Sequence, residues 1–222
     1  MSASRLSTVA EAVTALRAGR PVLVVDDEGR ENEGDVVLAA ALASPEWVAW
    51  TVRHTSGYLC VPLPGELADR LRLPLMVETN EDALGTAYTV SVDAREGVGT
   101  GISAADRART ARVLADPASG PADLVRPGHV LPLRARPGGV AERPGHTEAA
   151  VELCTRAGLP PVAVIGELVQ DGGDLMRFDE ICALAERHAL PALAIAQLLE
   201  PTDRAPGSTA GGTVPAAGPG RG

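Results

Sequence analysis

Lysine is absent from this sequence of 222 residues, so all 20 of its basic side chains are arginines. Chemistry through a lysine Schiff base is therefore excluded. Aromatic residues make up only 2% of the chain, which leaves few platforms for stacking nucleic-acid bases. The 29 acidic residues give a net charge of -9, the opposite of the basic patch that phosphate backbones require. We expect no nucleic-acid partner.

Cysteine is also scarce, with Cys60, Cys154 and Cys182 scattered through apolar surroundings. An odd, unclustered set argues against a disulfide framework and against a thiolate zinc site, and buried free thiols are the expected state. No apolar run approaches the roughly 20 residues of a membrane span, and the N-terminus lacks the pattern of a signal peptide. We therefore expect a cytoplasmic protein with no membrane partner.

Apolar periodicity and capping residues predict an alternation of helices and short strands. Thr8 and Glu11 have the spacing of a capping box before a helix that Gly19 ends, and Ser44 caps a second helix. Ser103 caps a third helix, and Thr147 a fourth that ends before Gly158. A further helix is predicted to be capped by Asp179, and strands are predicted at residues 21–25, 35–40, 58–63, 86–93, 128–135 and 161–169, with residues 191–199 closing the fold.

This alternation predicts an α+β (or α/β) fold in which a mixed β-sheet core is flanked by helices. The apolar segments are continuous enough to favour one domain over residues 1–200. From residue 201 to 222 the composition turns to Gly, Pro, Ala, Ser and Thr, which offers too little apolar area to offset the entropy of ordering. We expect that tail to be disordered.

An acidic segment follows the first predicted strand, with six carboxylates between Asp26 and Asp35. A solvated acidic turn is the simple interpretation. However, the segment lies between two apolar strands and contains glycines that let the backbone fold tightly. Like charges this close require compensation, and a hard divalent cation bound through oxygen atoms would supply it.

Two histidines, His129 and His146, occur in the same Arg-Pro-Gly-His context. The second one stands at a predicted helix start beside Arg143, where unpaired N–H groups favour an anion, although a plain cap with a surface arginine would give the same pattern. Thr100 similarly precedes the Ser103 cap, so this segment either donates hydrogen bonds to a phosphate or is a plain helix cap. Glu167 lies in an apolar strand, where a carboxylate needs a partner or faces water at the strand end.

Together these features predict a metal-dependent enzyme acting on a small phosphorylated molecule, and spacing alone does not name the reaction. The segments DDEGRENEGD, HTSGYLCVPL, TAYTVSVDAREGVGTGISAADRA and RPGHVLPLRARPGGVAERPGHTEAAVELCTRAGLPPVAVIGEL occur in this order. In that order they resemble the 3,4-dihydroxy-2-butanone 4-phosphate synthase family, over nearly everything from Thr8 to about Leu199. The resemblance implies a lyase of riboflavin biosynthesis that converts D-ribulose 5-phosphate to L-3,4-dihydroxybutan-2-one 4-phosphate and formate.

The resemblance also implies a homodimer with active sites near the subunit interface and Mg²⁺ or Mn²⁺ as cofactor, with two ions per site. It implies Glu31 and His146 as metal ligands, with Glu33 near enough to reach a second ion. It implies catalytic roles for His129 and Glu167, and we expect Asp35 to move protons together with Glu167. The substrate contacts that we carry over are Arg30, Glu31, Asp35, Asp26, Cys60, Thr100, Arg143, Pro144, Gly145, His146, Thr147 and Glu167.

Two alternatives stay open at this point. The chain is either a catalytically inactive paralogue that binds a sugar phosphate or serves as a scaffold subunit, or a metal-dependent lyase or isomerase of another pentose or tetrose phosphate. Because no cysteine cluster for a zinc-binding GTP cyclohydrolase domain is present, we expect a monofunctional enzyme.

Overall fold

The computed structural model describes residues 6–200, and the tail predicted from residue 201 lies outside them. The described chain forms one seven-stranded sheet in the order β4-β5-β3-β6-β2-β1-β7. The strands are β1 (Val22–Val25), β2 (Gly34–Ala39), β3 (Cys60–Pro64), β4 (Val92–Ala94), β5 (Leu124–Ala135), β6 (Ala163–Glu167) and β7 (Ala192–Ala194). The helices are α1 (Val9–Arg17), α2 (Pro45–His54), α3 (Gly65–Arg70), α4 (Ala104–Ala115), α5 (Gly139–Glu142), α6 (His146–Arg156), α7 (Phe178–His188) and α8 (Ala196–Leu199).

The sheet is mixed, which confirms the predicted fold class. Strands β1 and β7 run parallel, as do β3 and β5, whereas β2 is antiparallel to both of its neighbours, β1 and β6. Strands β1 and β2, which follow one another in the sequence, are thus antiparallel neighbours.

Strand β1 is buried on both faces because helices cover the sheet from each side. Val22 and Val24 pack in a cluster with α1 and α6, and Leu23 and Val25 pack in a second cluster with α7. Alternate side chains of a strand point to opposite faces, so the doubly covered strand reads as a continuous apolar run. A third cluster, around Leu38, joins α2 and α4 to the sheet.

The predicted N-cap residues are confirmed for α1 and α2 and are wrong for α6 and α7. Thr8 and Glu11 form the predicted capping box, and Ser44 caps α2 as expected. Thr147 and Asp179 are wrong as N-caps: both lie inside the first helical turn, and Gly145 and Arg177 occupy the cap positions.

The predicted strand 86–93 is largely wrong. Regular pairing covers only Val92–Ala94, and Tyr88 and Thr89 each form an isolated bridge, to Leu133 and Leu75. Helices α3 and α5 were not predicted, since each begins with glycine and has fewer than two turns. The three cysteines are buried thiols that form no disulfide within the described residues, as expected. No helix within residues 6–200 is long and apolar enough to cross a membrane.

Candidate functional site

Strand pairing brings the site together at one end of β1, β2 and β6. Asp35 on β2 lies opposite Val24 on one side and Glu167 on the other. The start of α6 packs against the same three strand residues, and His146 Nε2 donates to the Val24 carbonyl at 3.1 Å. Segments distant in sequence thus place two carboxylates and an imidazole around one cavity.

Asp26 organises the acidic loop that leads into this cavity. One of its oxygens accepts the Glu33 N–H at 3.0 Å, and the other accepts the Glu31 N–H at 3.1 Å and an Arg30 guanidinium N–H at 3.0 Å. The Asp26 side chain is buried, and it satisfies backbone donors of a loop that has no ladder partner. Asp26 was expected to line the cavity; among the described residues it is instead the anchor behind the lining.

The hydrogen bond to the Val24 carbonyl sets the tautomer of His146. The Val24 carbonyl can only accept, so Nε2 carries the ring proton and Nδ1 of the neutral ring keeps its lone pair. That Nδ1 lies 3.9 Å from Glu31 Oε2. Burial lowers the pKa of His146, which favours the neutral, ligating form of the ring.

Burial and crowding raise the pKa of two carboxyl groups at the cavity, Asp35 and Glu33. Burial first, and then the charges of Glu167 and Glu31, raise the pKa of Asp35 well above its usual range. Burial together with Glu31 and Asp35 raises the pKa of Glu33 to about 7. Asp35 Oδ1 is buried and has no hydrogen-bond partner. A buried acceptor without a donor indicates that a cation or a ligand group belongs beside it.

Arg143 approaches the cavity from the turn before α6. Its guanidinium pairs with the buried Glu148 at 2.7 Å and donates to the Leu84 carbonyl and the Thr86 hydroxyl, both at 3.1 Å. Gly145 allows the close approach, because a Cβ there would overlap the Arg143 guanidinium. The loop around residue 85 is thereby tied to the helix start.

Eight of the predicted site residues line the cavity: Arg30, Glu31, Asp35, Cys60, Arg143, His146, Thr147 and Glu167. The prediction did not include six further lining residues, because none of their side chains has an evident role in the local sequence: Tyr58, Thr86, Tyr88, Leu133, Ile165 and Gly166. Glu33, which was expected to lie near a second ion, also lines the cavity. Pro144 and Gly145 form the turn beneath Arg143 without lining the cavity in the described chain.

His129 and Thr100 do not line this cavity within the described part of the chain. His129 lies in β5, where its ring pairs with Asp93, and Thr100 precedes α4. The two Arg-Pro-Gly-His segments therefore have different structures, one within a strand and the other at a helix start. Neither Gly128 nor Gly145 has a positive φ; in both, glycine is needed for close packing.

The residues fit a divalent cation. Ligand atoms of Asp26, Glu31 and His146 lie within 4.8 Å of one another, as do those of Glu33, Asp35 and His146. Carboxylate oxygens are the donors that Mg²⁺ and Mn²⁺ prefer, and a ring whose second nitrogen is bonded to a backbone carbonyl is the usual form of a ligating histidine.

This fold and cavity define a class of α+β proteins in which one mixed sheet presents a buried carboxylate and imidazole cluster that suits a divalent cation. Within that class, the model of the 3,4-dihydroxy-2-butanone 4-phosphate synthase family matches residues 10–201, and the chain belongs to that family.

Relatives and solved structures agree with this assignment. The riboflavin biosynthesis protein RibBA of Salinispora arenicola is 60% identical over 192 residues, which are 86% of this chain and 46% of that protein. RibBA of Rhodococcus jostii is 58% identical over 198 residues, 88% of this chain and 48% of that protein. The chain spans about half the length of these curated relatives.

A crystal structure of a 3,4-dihydroxy-2-butanone 4-phosphate synthase in complex with two magnesium ions has a TM-score of 0.84 to this chain. The two are 46% identical, over 86% of this chain and 94% of that one. The Candida albicans synthase structure has a TM-score of 0.81 at 49% identity, over 87% and 96% of the two chains.

Proposed function

We propose that this chain converts D-ribulose 5-phosphate to L-3,4-dihydroxybutan-2-one 4-phosphate and formate, as a lyase of riboflavin biosynthesis. The observation that carries the proposal is the convergence of Glu31, Asp35, His146 and Glu167 on one cavity that Arg143 also lines. The atoms of the four-carbon product and formic acid sum to those of the five-carbon sugar phosphate, so the reaction is a rearrangement and cleavage that needs no external oxidant.

Glu31 and His146 hold one Mg²⁺ or Mn²⁺ ion in this proposal, and Glu33 and Asp35 stand beside a second. The carboxylate crowding and the unpartnered Asp35 oxygen support it. When bound, such an ion acts as a Lewis acid that stabilises negative charge on neighbouring substrate oxygens. The relative with two magnesium ions supports the same stoichiometry.

Asp35 and Glu167 are assigned to proton transfer. They are cross-strand neighbours on β2 and β6, and both line the cavity. A ketose phosphate must lose a proton beside its carbonyl and give up a hydroxyl, and two carboxyl groups held side by side take and return those protons. Acid–base groups of this kind each contribute about 10²- to 10⁴-fold.

The phosphate is assigned to Arg143 and to the backbone N–H groups at the start of α6. Thr147 lines the cavity there, and the first-turn N–H groups of a helix are the ones without internal partners. Arg30 also lines the cavity, where its guanidinium bonds the loop anchor Asp26 and the ligand candidate Glu31.

A homodimer is proposed to complete each cavity with His129 and Thr100 of the partner subunit. Within one chain these two residues lie away from the cavity, although Tyr58 at the lining and Ile102 beside Thr100 are exposed apolar side chains. Apolar side chains exposed at such positions suit a protein interface. The cytoplasmic location stays a prediction.

Heterodimers would test this shared site. H129A and E167Q chains, each expected to keep at most about 1% of the wild-type activity alone, are co-expressed with different tags, and the mixed dimer is purified. If His129 acts across the interface, one of the two sites is intact and about half of the wild-type activity returns. If it acts within its own chain, each site carries one lesion and the mixed dimer stays inactive, which would refute the shared site.

The reaction itself is tested by incubating the purified chain with ribulose 5-phosphate and Mg²⁺ and measuring formate. We expect formate that disappears with EDTA and in E31Q, and that persists in E28Q, which changes an exposed carboxylate of the same loop. Binding without turnover would indicate the inactive paralogue, and turnover of a different sugar phosphate would indicate another lyase or isomerase.

A further inference from the structure

A second carboxylate and imidazole pair lies outside the cavity, between β4 and β5. Asp93 Oδ2 is 2.7 Å from His129 Nδ1, and Asp93 Oδ1 accepts the backbone N–H of the same histidine at 2.9 Å. One carboxylate thus holds both the ring and the main chain of one residue. Nothing in the local sequence marks Asp93, because the pair exists only through the pairing of β4 with β5.

The strand register explains how the pair forms. Val92 pairs with Val130, but the next residue, Asp93, pairs with Val125, so residues 126–129 bulge out of β5 opposite this point. Gly128 packs directly on the backbone of Val92, where a Cβ would overlap main-chain atoms. A bulge of this kind redirects a side chain, and here it turns His129 onto the carboxylate.

The pair leaves one ring nitrogen of His129 available. A carboxylate accepts hydrogen bonds and donates none, so Nδ1 carries the proton toward Asp93, and Nε2 of the neutral ring keeps its lone pair. The His129 side chain is 42% exposed, whereas the Asp93 side chain is 13% exposed. Gly101 covers the bond, because a Cβ at that position would overlap both partners.

We propose that Asp93 is a positioning residue for the reaction: it orients the His129 ring and fixes the tautomer in which Nε2 exchanges a proton with the substrate. The proposal rests on the proposed function, in which His129 takes part in catalysis. A base that is itself oriented by a carboxylate is a recurring arrangement in enzymes, because the carboxylate removes both rotational freedom and the wrong tautomer.

The alternative is a purely structural link that ties the bulge to β4. The asymmetry in exposure favours positioning, since the shielded group is the carboxylate and the accessible group is the imidazole. A second hydrogen bond already links the bulge to the residues before β4: the Gly128 N–H donates to the Ser91 hydroxyl at 3.1 Å. A purely structural link therefore does not require Asp93.

The test compares D93N, D93E and H129A, alone and combined, in the full-length chain. We expect D93N to lower kcat by about 100-fold, the lower end of what a positioned acid–base group contributes, with little change in KM. D93E, which keeps the carboxylate, should restore most of kcat. In the H129A background, D93N should have no further effect, because the residue it positions is gone.

A spectroscopic readout separates positioning from stability. In NMR spectra of protein labelled with ¹⁵N-histidine, the His129 ring should show the Nδ1–H tautomer. In D93N the population should move toward the Nε2–H tautomer, because the asparagine NH₂ can donate to Nδ1. The matched control is D123N, because Asp123 caps a backbone N–H before β5 and does not touch the pair.

The outcomes distinguish this proposal from the proposed function. Full activity in H129A would overturn the catalytic role of His129 itself. An inactive H129A with full kcat in D93N would overturn only the role of Asp93. An unchanged tautomer in D93N, or a further loss of kcat when D93N is added to H129A, would show that the carboxylate is structural.

Discussion

The Ser56 hydroxyl donates a 2.9 Å hydrogen bond to Oε2 of Glu167, and the Ser56 backbone N–H donates to the Glu167 carbonyl at the same distance. The turn before β3 thus holds Glu167 by both its side chain and its main chain. The buried Arg107 supports this turn from α4 through the Gly57 carbonyl, at 3.1 Å. The carboxylate assigned to proton transfer is therefore fixed by a contact 111 residues away in sequence.

Removal of the hydroxyl in S56A should lower kcat by about 10-fold. A hydrogen bond to a charged group contributes about 1.5–3 kcal/mol, and its loss lets the Glu167 carboxylate rotate. S56T, which keeps the hydroxyl, should retain most of the activity. The matched control is S44A, which removes the cap of α2 and should lower thermal stability without changing kcat. Equal kcat values for S56A and wild type would contradict the positioning of Glu167 by this contact.

Glu148 should control substrate affinity through Arg143. The buried carboxylate pairs with the guanidinium at 2.7 Å and also accepts the Arg136 N–H at 3.0 Å. E148Q keeps the shape but loses the charge, so Arg143 is held less firmly and KM for the sugar phosphate should rise about 10-fold. E152Q is the control, because Glu152 lies one turn further along α6, where it pairs with Arg156. A fall in kcat at unchanged KM would contradict this assignment.

Much of the fold follows from short-range patterns in the sequence. The Thr8 and Glu11 capping box, the buried run of β1 and the glycine ends of α1 and α6 are set by residues within a few positions of one another. Thr147 misleads because the helix begins two residues earlier, where Gly145 packs against Arg143. That contact is tertiary, and a hydroxyl in the first turn looks the same as a cap.

The candidate site likewise has one part that short sequence motifs predict and another part that only the tertiary structure assembles. The acidic loop and the turn before His146 are contiguous motifs, so their residue types already indicate a cation and an anion. Asp93 and Ser56 carry no such motif, and only the β4–β5 bulge and the turn before β3 bring them to His129 and Glu167. Chemistry concentrated in one segment is visible in sequence, whereas residues that support it from other strands are not.

Mn²⁺ should bind and stabilise the wild-type chain. A ligand that binds only the folded state raises the free energy of unfolding by RT ln(1 + [L]/Kd), about 2.7 kcal/mol at 100 times Kd. E31Q should lose most of this stabilisation, and E28Q should keep it, since Glu28 is exposed on the same loop. Thermal unfolding with and without Mn²⁺ and the EPR signal of bound Mn²⁺ measure the effect. An equal shift in both variants would place the ion elsewhere.

Acidification should destabilise the fold through a histidine pair, His54 and His188, that does not line the cavity in the described chain. The ring centroids of His54 and His188 are 5.2 Å apart, and Trp50 Nε1–H donates to His188 Nδ1 at 3.3 Å. Burial, and then the charges of His188, Arg53 and Arg187, lower the pKa of His54 below its ordinary 6.5, and Asp171 only partly opposes them.

The sign follows from proton linkage: below pH 6.5 the unfolded chain binds a proton at His54 that the folded chain resists, so stability falls as the pH drops through that value. H54Q removes this titration, and its unfolding midpoint in urea should therefore depend less on pH between about 8 and 5 than that of the wild type. His146 titrates in both proteins and cancels in the comparison. Identical pH slopes for the two proteins would show that the His54 environment does not oppose protonation.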